Sequence, residues 1–567
     1  PESNEGIGTT RMDFVVSQNG QQITTVFASM MVAVLLVLMV ACANVANLLL
    51  ARATMRTKEA AIRTAMGGGT LRVVLPFFAE AVVLSVAGAL AGIVIAYIAV
   101  AQFDAATVGS LTGRPYFMVF EVNLVVIAFV VGLAVLTSLL AGAAPAFLVA
   151  RSDVNEVLKD ESRGSSSFSL GKLSKILVVG EVALSCALLV GAGLMTKSMI
   201  NLGQKEYPYD TEAYFTARVG LFETDYPDAQ ARQTFFDELN ERVAALPSVQ
   251  AAAIMSVLPA VGSGRPRIQL DGEVYEDAAS QPQEHWQWVS AGYFDALGVR
   301  LLQGEDFRPE HDRDAPPVAI VNQSFVDRYY GGDSPLGQRF RVGTSDTIAW
   351  TTIIGVAPDL DMQGLQPAGQ PGSDPAGFYL PVRQRDARFL TIMAKAATGT
   401  GMSVTGDVRE VVRSIDPQLP IYNVRSLEEA LRRSSWFYNV FGTVFIVFGV
   451  AALFMASVGL YGVLSFSVSR RIQEMGIRMA LGAGAKDVVG LVVRDGAVQM
   501  GVGLALGAGL AYGVSTVVAL LMFQVNPQDP MVFGIVLSVI ALVGILATWI
   551  PARRATKVDP MVALRYE

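Results

Sequence analysis

Residues with the makings of a reactive site are few in this chain, and they are scattered. Residues 191–198 read GAGLMTKS, the nearest approach to a phosphate-cradling loop. Such a loop needs glycine directly before its Lys-Ser pair so that backbone N–H groups can close on the phosphate. Thr196 stands there instead, inside an apolar run with no strand pattern before it. GVGLALG at 501–507 misses the dinucleotide spacing and is also apolar throughout. The only histidines are His285 and His311, a poor basis for a Ser-His-Asp or multi-histidine metal mechanism. Cys42 and Cys186 both fall in apolar runs, which excludes a disulfide framework or a zinc site of usual spacing. Glu80 and Glu181 read as semi-buried acids near one membrane face. They suit a proton relay, but snorkelling or a bond to a neighbouring helix is the simpler account. Asp495 follows Arg494 and is expected to pair with it. Trp436-Phe437-Tyr438 and Trp549 read as interface anchors. The sequence thus offers no catalytic residue, no cofactor-binding residue and no metal site.

What the chain has in abundance is apolar length. Of 567 residues 52% are hydrophobic and 16% charged, with mean hydropathy +0.44. A soluble domain carries about 25% charged residues, so the composition argues against a soluble cytosolic enzyme. Net charge −7 argues against a nucleic-acid partner. A spanning helix needs about 20 apolar residues. Runs of that length occupy 14–51, 81–103, 122–150, 434–469, 496–528 and 530–552, and 176–200 is a seventh. Residues 1–13 are polar, not a cleavable leader.

Charge orients the spans. Loops 52–75, 151–172 and 470–487 and the tail 553–567 hold 17 Lys+Arg together, against one, Arg114, in loops 104–121 and 523–529. Basic loops stay cytoplasmic, which places the N-terminus outside, the C-terminus inside and residues 201–435 outside. That outer segment holds 21 Lys+Arg and 32 Asp+Glu. It shows one pattern twice: strand 213–220, helix 227–246 and strand 249–256, then strand 390–396, helix 403–415 and strand 419–424, with Pro247 and Pro417 closing the helices. Two such units predict an α/β domain of split ferredoxin-like type.

The membrane part repeats too. Residues 56–69, RTKEAAIRTAMGGG, match 471–484, RIQEMGIRMALGAG, at 7 of 14 positions. Gly88 and Gly92 recur as Gly503 and Gly507, and Pro145-Ala146 recurs as Pro551-Ala552. The glycine pairs predict helix-packing faces. The chain therefore reads as two three-span units plus one extra span. In the repeated loop Arg56, Glu59 and Arg63 share a helical face, Ile62 lies beside them and Gly67 begins the break; Arg471, Glu474, Ile477, Arg478 and Gly482 repeat the arrangement. On one copy this reads as a solvated elbow; its recurrence favours a docking surface.

These loops, LSKILVVGEVALSCALLVGAGLMTKSM (173–199), SAGYFDALGVRLLQGEDF (290–307), PPVAIVNQSFVDRYYGGDSPLGQRF (316–340) and DPQLPIYNVRSLEEAL (416–431) resemble the FtsX/MacB-like ABC-transporter permeases. Within that family they are most similar to the acidobacterial duplicated orphan permeases. The resemblance covers nearly the whole chain and implies a polytopic α-helical membrane protein of about seven spans with a periplasmic core domain of porter type. On it, 1–22 is a polar extracytoplasmic remnant, 23–150 the first FtsX-like unit and 151–172 a cytoplasmic linker. Residues 173–200 are a transmembrane helix and 201–435 the MacB-like periplasmic core. Residues 436–553 are the second FtsX-like unit and 554–567 a cytoplasmic tail. In the family each half also opens with a span and a periplasmic domain. The first pair is missing here, so the chain is expected to be a C-terminal fragment or a truncated product.

The resemblance implies a bacterial inner-membrane permease that is not itself an enzyme. It binds no cofactor, because ATP and Mg sit on a separate cytoplasmic ABC ATPase that contacts loops 56–69 and 471–484. Membrane lipid and a periplasmic adaptor or outer-membrane protein are the further partners implied. An orphan member would instead be a membrane-anchored periplasmic binding or signalling protein.

Overall fold

The computed structural model describes residues 12–55, 70–108, 120–150, 167–345, 347–365, 373–470, 484–519 and 522–555. They form two compact units: a helical one, up to residue 201 and again from 438, and an α/β one within 202–437. The helical unit begins with α1 (Met12–Met55), α2 (Thr70–Val108), α3 (Leu124–Ala150) and α4 (Ser167–Gly203).

The α/β unit is built on one mixed sheet. Its first ladder is β1 (Tyr214–Gly220), then α5 (Ala229–Ala244) and β2 (Val249–Met255). Asp228 caps α5 by accepting from Ala231 N at 2.6 Å. Phe235, Phe236, Leu239 and Val243 of α5 follow helical spacing and are buried together. An inserted stretch adds β3 (Ile268–Leu270), β4 (His285–Val289), α6 (Tyr293–Ala296), β5 (Gln303–Gly304), β6 (Val318–Asn322), α7 (Gln323–Tyr330), β7 (Arg339–Val342), β8 (Thr351–Ala357) and β9 (Gly377–Pro381). The pattern then resumes with β10 (Phe389–Ala396), α8 (Thr405–Ile415), β11 (Tyr422–Ser426) and α9 (Leu427–Ser434).

Sheet order is β11-β1-β10-β2-β4-β9-β6-β8-β7-β3, with β5 on β8. The first four strands pair antiparallel, Tyr214 opposite Lys395 through Gly220 opposite Phe389 on one seam. This is the split ferredoxin-like arrangement expected from the two βαβ patterns. The stretch between β2 and β10, which carried no clear pattern in the sequence, extends the same sheet. β11 starts at Tyr422, later than the expected Leu419, since Pro417 and Pro420 offer no N–H to a ladder. Phe215, Ala217 and Val219 of β1 face a core shared with α5 and α8. Tyr214 faces a second core on the other side of the sheet, so β1 is buried along its length except at Arg218.

After α9 come α10 (Trp436–Arg470), α11 (Ala485–Val518) and α12 (Pro530–Ala555). Among the described residues six helices contain runs long and apolar enough to cross a bilayer: Ala28–Leu49, Ala79–Ala105, Ser174–Gly203, Tyr438–Ser465, Val493–Val518 and Pro530–Ile550. The expected span 122–150 falls on α3, whose described apolar stretch is Leu124–Leu139.

Candidate functional site

All ten residues assigned to the repeated loops (Arg56, Glu59, Ile62, Arg63, Gly67, Arg471, Glu474, Ile477, Arg478 and Gly482) lie outside the described residues. The flanking helices are described. One loop joins α1 to α2 and the other joins α10 to α11, so each sits between the first and second helix of its repeat.

The GAGLMTKS run is not a loop at all. It lies inside α4, toward its C-terminal end. There Thr196 Oγ1 donates back to Ala192 O at 2.8 Å, Lys197 is paired with Asp529, and Ser198 Oγ accepts from Phe523 N at 2.8 Å. Thr196 thus bonds within α4, the other two tie α4 to the connection between α11 and α12, and no phosphate cradle is left. His285 is buried with Nδ1 3.0 Å from Ser263 Oγ, and His311 Nδ1 accepts from Arg308 N at 3.1 Å. Both serve the α/β fold. Asp495, expected to pair with Arg494, faces Lys175 of α4 at 3.9 Å. Among the described residues no group of His, Cys, Asp and Glu is placed to hold a metal.

The extra span turns out to be the centre of the helical unit. The best apolar window of α4 is 61% buried, against 6% for α2. Small residues let it touch three later helices closely. A Cβ added to Gly449 of α10 would lie 2.9 Å from Ala192 Cβ. One added to Gly503 of α11 would lie 2.8 Å from Val182, and one on Gly507 2.6 Å from Cys186. One added to Gly193 of α4 would lie 2.8 Å from Val532 of α12. Polar ties bind α1 to it: Ser174 Oγ donates to Asn47 Oδ1 at 3.2 Å and Asn44 Nδ2 to Glu181 Oε1 at 2.6 Å. Glu181 was expected to be semi-buried near the membrane face; it is 1% exposed. Sequence reasoning named this span but missed its centrality. The available signal was its alternation of Gly, Ala, Ser and Cys from Gly180 to Gly193.

The α/β unit fastens both of its links to the helices in one core. Tyr207, Tyr209 and Ala213, on the segment leaving α4, pack with Tyr214, Tyr293 and Tyr379. Leu427 and Leu431 of α9, which runs to α10, belong to the same cluster. Burial, with Asp361 nearby, pushes the Tyr207 phenol up to about 12, and burial likewise lifts Tyr214 to about 12.

Comparison with known proteins accords with this architecture. The FtsX-like permease C-terminal model matches residues 31–154 and again 446–560, and the MacB-like periplasmic core domain model matches 176–409. The chain belongs to the FtsX/MacB-like permeases. It is a multi-pass protein of the inner membrane with an α/β periplasmic domain. A macrolide export ATP-binding/permease protein MacB of Syntrophobacter fumaroxidans is 22% identical over 56% of this chain and 52% of its own. A probable syringafactin export ATP-binding/permease protein of Pseudomonas syringae pv. tomato is 26% identical over 49% of this chain and 41% of its own. The chain spans about half the length of the curated relatives it matches. The solved periplasmic region of MacB from Actinobacillus actinomycetemcomitans is 13% identical with a TM-score of 0.26, over 38% of this chain and 89% of that one.

Proposed function

We propose that this chain is the permease part of an ABC-type transporter, coupling ATP hydrolysis on a separate cytoplasmic ATPase to movement of its periplasmic domain. The observation that carries the reading is the shared anchoring of the two links. The segment leaving α4 and the helix leading to α10 are packed into one core of the periplasmic domain. Within the helical unit α4 and α10 also pack tightly, through Gly442 on Met199 and Gly449 on Ala192. Each connection is thus packed within the domain it enters. Ser185 Oγ donates to Ala452 O at 3.3 Å and adds a polar tie along that pair.

Loops 56–69 and 471–484 are the natural seat of the ATPase, being basic, repeated and set between the first two helices of each repeat. Nothing among the described residues offers a nucleotide cradle, and the one sequence candidate is engaged inside α4. The names of the relatives, macrolide export and syringafactin export, support export as the outcome. The test is copurification: the chain, expressed with its host's ABC ATPases and solubilised in detergent, is expected to retain one of them stoichiometrically. Failure to retain any ATPase, while the chain is folded, would favour a membrane-anchored periplasmic binding or signalling protein.

A further inference from the structure

An acid sits where α1, α4 and α10 meet, and the coupling scheme gives it no role. Glu181 of α4 is 1% exposed. Asn44 of α1 reaches it with one amide proton, Nδ2 to Oε1 at 2.6 Å, and gives the other to the Met455 carbonyl of α10 at 3.0 Å. A primary amide has two protons, so Asn44 has none left for the second carboxyl oxygen. Among the described residues no other donor reaches Glu181 Oε2. Asn44 Oδ1 and Glu181 Oε2 crowd the same point on α10: a Cβ on Gly459 would collide with both.

Two acceptor oxygens directed at one spot in an apolar, buried seam repel each other. A carboxylate there would hold its charge with a single donor, against the rule that buried charges are paired or neutralised. The titratable groups on the packed elements include Cys42 of α1, Glu80, Tyr97 and Asp104 of α2, Lys175, Cys186 and Lys197 of α4, Tyr438 and Tyr461 of α10, and Arg494, Asp495 and Tyr512 of α11. Among the described residues none of them bonds to Glu181, and the nearest cation in sequence, Lys175, faces Asp495.

We propose that Glu181 is a proton-binding site: Oε2 carries the proton and donates it to Asn44 Oδ1. The acid and the amide then make two bonds in a ring, which clasps α1 to α4 over the bare backbone of Gly459. The ligand is a proton, and the clasp joins the first three-span unit to the central helix and to the second unit.

Infrared spectroscopy of the full chain in detergent near neutral pH tests this. Exposed carboxyls are ionised there, so a deuterium-sensitive protonated-carboxyl band is expected in the parent and not in Glu181→Gln. Glutamine presents N–H where Oε2–H is proposed, so Glu181→Gln should keep the parent's Tm while Glu181→Leu lowers it. Equal spectra of parent and Glu181→Gln would overturn the proposal. So would a Tm lowered equally by Gln and Leu, or unchanged by both. Should Glu181→Gln not fold, Asn44→Ala decides: loss of the acceptor is expected to move the carboxyl band, and an unmoved band contradicts the assignment.

Discussion

Lys205 and Asp361 form a nearly buried ion pair, their side chains 15% and 16% exposed, between the segment that leaves α4 and the turn after β8. Asp361 also holds that turn, its Oδ1 accepting from Gly364 N at 2.9 Å and its backbone oxygen from Ala260 N at 2.8 Å. Breaking a buried pair from one side leaves an uncompensated charge, at a cost of about 3–5 kcal/mol when burial is complete. Lys205→Met is therefore expected to destabilise the periplasmic domain by about 2–3 kcal/mol, reduced for partial exposure. Adding Asp361→Asn should recover part of that loss. Thermal unfolding of the three variants measures it, and additive losses would show that the pair is not coupled.

The neighbouring tyrosines give the domain an alkaline limit. Burial and Asp361 hold Tyr207 up at about 12, burial first and then Asp210 hold Tyr214 at about 12, and burial lifts Tyr293 and Tyr379 well above the usual phenol range. A phenol raised in the folded state binds its proton more tightly there than in the unfolded chain. Its stabilising contribution is whole below the unfolded value of about 10 and is lost as pH climbs from there toward 12. Stability should be flat up to about pH 10 and then fall. Tyrosinate absorbance from the cluster should rise with unfolding. Titration of these phenols near pH 10 in a domain that stays folded would contradict the burial.

Repeated glycines have unequal duties. Gly503 and Gly507 lie against Val182, Ala183 and Cys186 of α4, while Gly88 and Gly92 meet nothing within 4 Å among the described residues. Overpacking a tight contact costs about 1–3 kcal/mol. Gly507→Leu is expected to lower the detergent Tm of the chain clearly and Gly92→Leu to leave it close to the parent. Equal effects would mean that both repeats engage a helix in the same way.

That asymmetry marks where sequence reading stops. Apolar runs, loop charges and the 415-residue offset between RTKEAAIRTAMGGG and RIQEMGIRMALGAG are local facts, so spans and repeats were legible. So were the two βαβ units, because Asp228 and Pro247 bracket a helix with clean periodicity. The inserted strands were not, since β3, β5 and β7 are two to four residues long and depend on pairing partners distant in sequence. Nor was the Glu181–Asn44 contact, which joins residues 137 apart on helices whose mutual orientation no single-helix pattern encodes. Asp529 and Lys197, 332 apart, are the same case.

The central claim is that the repeated loops pass the ATPase's work to the periplasmic domain. Arginine is enriched among the few residues that dominate an interface, and losing a docked charge costs about 2–5 kcal/mol, whereas an arginine on a solvated elbow contributes about 0–1 kcal/mol. The decisive measurement is ATPase activity of the copurified complex carrying Arg63→Glu with Arg478→Glu, beside Arg63→Ala with Arg478→Ala. Membrane topology is checked in each variant, because charge reversal can also disturb insertion. The account predicts that permease-stimulated hydrolysis is abolished by the reversal and reduced by the alanine pair, with insertion intact. Stimulation equal to the parent's in correctly inserted variants would contradict it.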